Sequence, residues 1–188
     1  VGGKNKREHL IKIGQEVIWS KGYDLCSVKD ITQSAGLPKG SFYHYFESKE
    51  KFALEAMTDF INSFKEKIPN NEKTIESLEH LIDLRIKSIV KINYARECYM
   101  SVMCHAYSEQ EESFRLEVLD AIEKSNEAML VLLTDLKKQQ LINTDLSLDE
   151  LVEFIDFSWR GARLKARLLK SDMPLQVFKK YLLELILR

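Results

Sequence analysis

One run, Lys39-Gly-Ser-Phe-Tyr-His-Tyr-Phe-Glu-Ser-Lys49, gathers the side chains best suited to meet a polyanion. At helical spacing Phe42 and Phe46, four apart, turn inward together and leave Lys39, Ser41, Tyr43, His44 and Tyr45 over the remaining surface. Gly40 lets a second backbone come close, and Lys39 supplies charge. The tyrosine hydroxyls can reach phosphate oxygens while their rings pack on sugars or the thymine methyl. Lys49, beside the free amides that open the next helix, is placed to hold a phosphate. Any one of these aromatics, taken alone, reads better as a residue packed on its neighbours. Their crowding on two turns is what points to a nucleic acid.

The other chemistry-bearing residues are three cysteines, Cys26, Cys98 and Cys104. An odd number in a chain this long indicates a reducing compartment rather than a disulfide framework. If Cys98 and Cys104 share a helix, six residues separate their Cα atoms by about 9 Å, beyond disulfide reach. Cys104-His105 offers two metal ligands, but adjacent helical residues face different sides and no third is spaced nearby, so no metal site is expected. The same geometry works against an enzyme that uses Cys98 or Cys104 as nucleophile and His105 as base, and no oxyanion or cofactor motif accompanies them. No catalytic residue and no cofactor are expected. Cys98 itself reads two ways. At a helix start, near Arg96, its thiolate is favoured and reactive; as a small buried apolar residue it is inert. With Tyr99, His105, Tyr107 and Trp159 it could line an apolar pocket with polar tips. The run Arg160, Arg163, Lys165, Arg167, Lys170 adds a candidate anion contact at Arg163, although a helix that starts acidic and ends basic also simply opposes its own dipole.

The elements that carry these residues follow from composition and punctuation. In 188 residues, 45% are apolar, and 28 Lys/Arg balance 29 Asp/Glu, which excludes a chain kept disordered by charge. Seven Gly and three Pro leave few tight turns for a sandwich or barrel, so an all-α protein is expected. The longest purely apolar stretch, Ala128–Leu133, is far short of a membrane span, and no charged-then-apolar leader opens the chain; the expectation is a cytoplasmic protein with no membrane partner. Charge is uneven. Residues 1–49 hold 8 Lys/Arg against 5 Asp/Glu, and the rest hold 20 against 24, a weakly basic head on an acidic body.

Leu10, Ile13, Val17 and Ile18 place a first helix at 5–21, ended by Gly22. Ser27-Val-Lys-Asp30 is a capping box that opens a short helix to Ser34, Gly36 breaks it, and Pro38 opens a third helix over 38–45. Ser48 caps a fourth, with a stripe at Phe52, Ala56, Phe60 and Phe64 and an end before Pro69, and Asn70-Asn71 marks the following turn. Further helices are expected at 72–91, 95–107, 110–139, 148–170 and 174–187, with capping boxes at Ser108–Glu111 and Ser147–Glu150. The total is about nine. Leu151, Phe154, Ile155, Ala162, Ala166 and Leu169, with Phe178, Leu182, Leu185 and Ile186, would supply both core and a four-helix seam between two copies.

Two short helices broken at Ala35-Gly-Leu and resting on a longer first one form a helix-turn-helix whose second member suits the major groove. The run from Lys39 to Lys49, with the spacing from Ser27 through Ile31-Thr-Gln-Ser-Ala-Gly36, resembles the recognition helix and turn of the TetR family of bacterial repressors. The resemblance implies a helix-turn-helix domain over 4–50 and a helical effector-binding and dimerisation domain over 51–188. It also implies a homodimer on double-stranded operator DNA, released when a small molecule occupies the body. Carried over by position, DNA contacts fall on Lys29, Lys39, Gly40, Ser41, Tyr43, His44, Tyr45 and Lys49, with Ser27 capping the second helix beside phosphate. Ile31, Ala35, Phe42 and Phe46 would be core. Arg96-Glu-Cys98-Tyr-Met-Ser and the segment Trp159–Arg167 are similar to the branch that contains the repressor of N-ethylmaleimide reductase, in which the cysteine senses electrophiles; this implies Cys98 as sensor. A different reading, an all-helical module binding protein through its short helices, predicts no sequence preference on duplex DNA.

Overall fold

The computed structural model describes residues 3–65, 73–106, 112–143 and 145–187. Among them run nine helices and no strand: α1 (Gly3–Lys21), α2 (Val28–Ser34), α3 (Gly40–Tyr43), α4 (Lys49–Lys65), α5 (Ile75–Lys91), α6 (Tyr99–His105), α7 (Glu112–Lys138), α8 (Leu148–Leu169) and α9 (Met173–Ile186). The all-α expectation holds. The turn at Asn70-Asn71, the capping box at Ser108–Glu111 and Tyr107 lie outside the described residues.

Local chemistry sets most helix ends. Gly22 and Gly36 take φ of +81° and +66°, the left-handed conformation that side chains avoid. At the end of α2 the Leu37 amide reaches back to the Thr32 carbonyl (2.8 Å) and Gly36 to Gln33 (3.1 Å), which satisfies the last carbonyls. At α8 the Ser147 hydroxyl accepts from the Glu150 amide (3.1 Å) and donates to the Glu150 carboxylate (2.9 Å).

Three helices differ from their expected spans. The third keeps α-helical form only over Gly40–Tyr43, because three-residue bonds from Ser41 to Pro38 and from Tyr45 to Phe42 (both 2.9 Å) tighten its two ends. The fifth starts at Ile75, where Thr74 and Ser77 form a reciprocal cap. The sixth starts at Tyr99 rather than 95, after a turn in which Asn93 and Tyr94 adopt φ of 50° and 56°.

The chain divides into two compact units. Unit one holds residues 1–63 and 99–122; unit two holds 64–98 and 123–188. Unit one therefore reaches past residue 50 and takes in α6 and the start of α7. Its interior is aromatic: Phe42, Phe46 and Phe52 meet tilted or edge-on with centroids 4.8–5.2 Å apart, alongside the buried Leu10, Ile18 and Ile31. Trp19 meets Phe60 and Tyr99 edge-on at 5.3 and 5.6 Å, and Tyr23 stacks on Phe114 at 5.2 Å. Unit two packs the inward stripes of α5, α8 and α9 with the second half of α7, around Leu78, Ile82, Leu133, Leu151, Trp159 and Leu182. Lys179 on α9 ties to Asp83 (2.8 Å) and Glu79 (3.4 Å) on α5.

Candidate nucleic-acid interface

The short helices α2 and α3 owe their position to a few buried side chains. Ile31 and Phe42 are fully buried, Phe46 is 2% exposed and Ala35 9%, as expected for the small core. Thr32, buried beside them, turns its hydroxyl onto the Val28 carbonyl (3.0 Å) and so needs no outside partner. With these inward, Lys29, Lys39, Gly40, Tyr43 and His44 are exposed, and Ser41 and Tyr45 are half-buried. Lys39 and Tyr43 stand four apart, as do Gly40 and His44, so each pair shares one side of the turn. A Cβ on Gly40 would meet nothing within 4 Å, which leaves its backbone open to a close approach.

The two ends of the candidate surface are more occupied. Ser27 accepts from the Asp30 amide (3.1 Å), donates its amide (2.8 Å) and hydroxyl (2.6 Å) to the Asp30 carboxylate, and thereby completes the expected capping box. Lys21 reaches the same carboxylate at 2.5 Å. This ammonium first, and the Ser27 hydroxyl and amide next, hold Asp30 below the usual carboxylate range. Lys49 is half-buried, with its ammonium 4.0 Å from the Tyr23 ring centroid, so it is a fixed charge rather than a free arm.

The candidate effector residues fall in both units. In unit one Tyr99 is fully buried among aromatics, and burial raises its hydroxyl far above ordinary titration; His105 is exposed. In unit two Cys98 (5% exposed) and Trp159 (4%) are buried, and Arg163 (9%) donates to the main-chain carbonyls of Glu97 (3.0 Å) and Arg96 (3.4 Å). Among the described residues no group of three or more His, Cys, Asp or Glu could hold a metal ion, and no helix is long and apolar enough to cross a membrane.

The residues expected to supply both core and seam differ in burial. Leu151, Ile155, Ala166, Phe178, Leu182 and Ile186 belong to unit two's own core, because their stripe faces α5 and α7 of the same chain. Ala162 and Leu185 are half-buried, and only Phe154 (38%) and Leu169 (49%) stand exposed. A second apolar series on the same helices is exposed: Phe157 (60%), Leu164 (46%) and Leu168 (78%) on α8, with Val177 (44%) and Tyr181 (57%) on α9. With Phe154 and Gly161 the α8 members recur at alternating steps of three and four, a seam spacing legible once two interleaved stripes are looked for on one helix.

Residues 10–56 match the family described as bacterial regulatory proteins, tetR family. Over 183 residues, 96% of this chain and 92% of the relative, the sequence is 27% identical to the HTH-type transcriptional repressor DhaR of Mycobacterium sp. (strain GP1). It is 42% identical to the HTH-type transcriptional repressor NemR of Escherichia coli K12, but over 48 residues only, 26% of this chain and 24% of that one. The crystal structure of reduced NemR shares the fold at a TM-score of 0.76 and 20% identity, covering 97% of this chain and 98% of that one. A crystal structure of a regulatory protein TetR from Rhodobacter sphaeroides does so at 0.83 and 24%, covering 95% and 97%. Residues 10–56 thus carry the amino-terminal domain of the TetR family of bacterial regulatory proteins, and over its full length the chain is similar in sequence to one of its repressors and in fold to its solved members.

Proposed function

We propose that this DNA-binding regulator is a repressor that acts as a homodimer on double-stranded operator DNA and is released by a small-molecule or electrophile effector. The observation that carries the reading is the division of α3: Phe42 buried on one side, Lys39, Gly40, Tyr43 and His44 exposed on the other. Such a helix presents an exposed polar and aromatic face, which suits base edges and phosphates. The naming of DhaR and NemR as repressors supports the sign of regulation. Lys29, Ser41, Tyr45 and Lys49 complete the proposed contact surface, Ser27 serving mainly to cap α2. The exposed series Phe154, Phe157, Leu164, Leu168, Val177 and Tyr181 is the proposed seam between subunits.

Release would be a population shift. Cys98 stands directly before α6, and Tyr99 of α6 is wedged against Trp19 of α1 and Phe60 of α4. An effector or a modified thiol that displaces α6 would be felt by α1, on which α2 and α3 rest. Two recognition helices then depart from the separation of about 34–36 Å that one turn of DNA demands.

The test is binding to duplex DNA selected from a random pool, before and after N-ethylmaleimide, with wild type, Cys98→Ser, Lys39→Ala and Tyr43→Ala. Lys39→Ala and Tyr43→Ala are expected to weaken binding with unchanged melting, Lys39→Ala also lowering the salt slope by about one. Loss of binding after treatment in wild type but not in Cys98→Ser makes Cys98 the sensor. Retention in both assigns release to a reversible ligand, and failure to select any DNA overturns the repressor reading.

A further inference from the structure

Among the described residues, two N–H groups buried in the interior of unit two have no hydrogen-bond acceptor. α8 places Trp159 and Arg163 four residues apart, on one side of the helix, and both are more than nine-tenths buried. The Arg85 guanidinium from α5 lies 4.7 Å from the Trp159 ring centroid, and Phe178 meets the same ring at 5.4 Å. Arg160 spends its Nε and one terminal nitrogen on the Asp156 carboxylate (3.1 and 2.8 Å). Arg163 has a different set of partners: the main-chain carbonyls of residues 96 and 97 receive its Nη2 and the Glu97 carboxylate lies within electrostatic reach, while its Nε has no hydrogen-bond partner among the described residues. The indole Nε1 of Trp159 is likewise buried without one. Burial pushes the Arg85 and Arg163 guanidiniums below their ordinary values, and for Arg85 the neighbouring charges of Arg163 and Arg160 push the same way. Cys98 lies within electrostatic reach of both arginines.

A buried donor left unmade is costly, and a buried cation is tolerated only beside charge or good acceptors. Water can accept from Trp159 and Arg163 but brings no countercharge. An oxyanion brings both, and a planar guanidinium is the natural group to hold it. We propose that unit two holds an anion site at Arg163 and Trp159, with Arg85 adding charge, which takes the carboxylate or phosphate head of a small organic effector. This rests on the reading of unit two as the effector-binding body and gives that effector its chemical class. It also supplies a lever: Arg163 anchors the carbonyls of residues 96 and 97, just ahead of Cys98 and α6, so a head group that draws on Arg163 alters the hold on that segment.

The experiment is thermal melting and calorimetric titration of the whole chain with hexanoate, hexyl phosphate and hexanol at millimolar concentration and matched ionic strength. One or both anions are expected to raise Tm in a saturable way while hexanol does not, and the one that acts identifies the head group. Arg163→Lys and Trp159→Phe, which keep charge or ring but lose the free N–H, are expected to weaken anion binding about tenfold or more, whereas the exposed Arg167→Lys leaves it unchanged. Trp159→Phe carries the test if Arg163→Lys fails to fold. An equal response to hexanol, full affinity in both variants, or no response to either anion overturns the site. Binding of selected DNA by the unliganded protein is scored separately. DNA binding without an anion response removes this site and leaves the regulator; an anion response without DNA binding does the reverse.

Discussion

The ring of Phe52 fills the space beside Gly14: a Cβ built on that glycine would lie 2.2 Å from Phe52 Cζ and 3.2 Å from Ile31 Cγ2. Gly14 has ordinary helical geometry within α1, so its role is close approach rather than backbone freedom. Phe52 cannot yield easily, because Phe42 and Phe46 hold it at 5.2 and 4.8 Å. Gly14→Ala is therefore expected to destabilise by about 1–3 kcal/mol despite alanine's better helix propensity, lowering Tm by several degrees. An unchanged or raised Tm would mean that the aromatic cluster rearranges freely.

Asp30 is held below the ordinary carboxylate range in the folded protein, so folding favours its ionised form. Its contribution is complete above the unfolded value near pH 4 and is lost as pH falls from there toward the lower folded value. Asp30→Asn is expected to melt lower than wild type at pH 7 and to lose Tm less steeply between about pH 5 and pH 2.5. Parallel pH curves for the two proteins would show that the Lys21–Asp30–Ser27 group adds nothing to acid stability.

The three thiols should react in a definite order. Cys104 is exposed, Cys98 is 5% exposed and Cys26 is 1% exposed. Burial pushes the Cys26 thiol up to about 11, so at pH 8 it is almost wholly protonated. With a disulfide reagent at pH 8, Cys104→Ser is expected to remove the fast phase. Cys98 should follow more slowly, and Cys26 should react only on unfolding. Rapid labelling of Cys26 in folded protein would contradict the burial that sets this order.

An exposed apolar series on α8 and α9 has a measurable consequence in solution. Phe157→Glu and Leu168→Glu remove apolar area at positions 60% and 78% exposed in the single chain, so the protomer's fold should be unaffected. Sedimentation equilibrium is expected to show a dimer for wild type and a monomer for each variant, with the same circular dichroism. Leu151→Ala, in the protomer core, should instead cost about 2–5 kcal/mol of stability, and so lower Tm, without selectively splitting the dimer. Dimers that survive both Glu substitutions would place the seam elsewhere.

The helix-turn-helix was legible in the amino-acid order because its determinants are local. Ser27 and Asp30 cap one turn within four residues, Gly22 and Gly36 take φ values that glycine adopts without strain, and Phe42 and Phe46 fall inward at a spacing of four. Each involves groups a few bonds apart along the chain, so type and spacing suffice. The turn ahead of the sixth helix was only half legible in this way: Asn93 is of a type that tolerates left-handed backbone, but Tyr94, which adopts it too, is not.

The tertiary structure decided which of two apolar stripes on α8 and α9 faces inward. Leu151 and Leu182 read no differently from Leu164 and Leu168 in sequence; only packing against α5 and α7 buries the first pair and exposes the second. It also brought Arg85, 78 residues from Arg163, to the Trp159 ring and left two N–H groups there without acceptors. Burial and electrostatic balance depend on partners distant along the chain, which helical periodicity can orient but cannot choose.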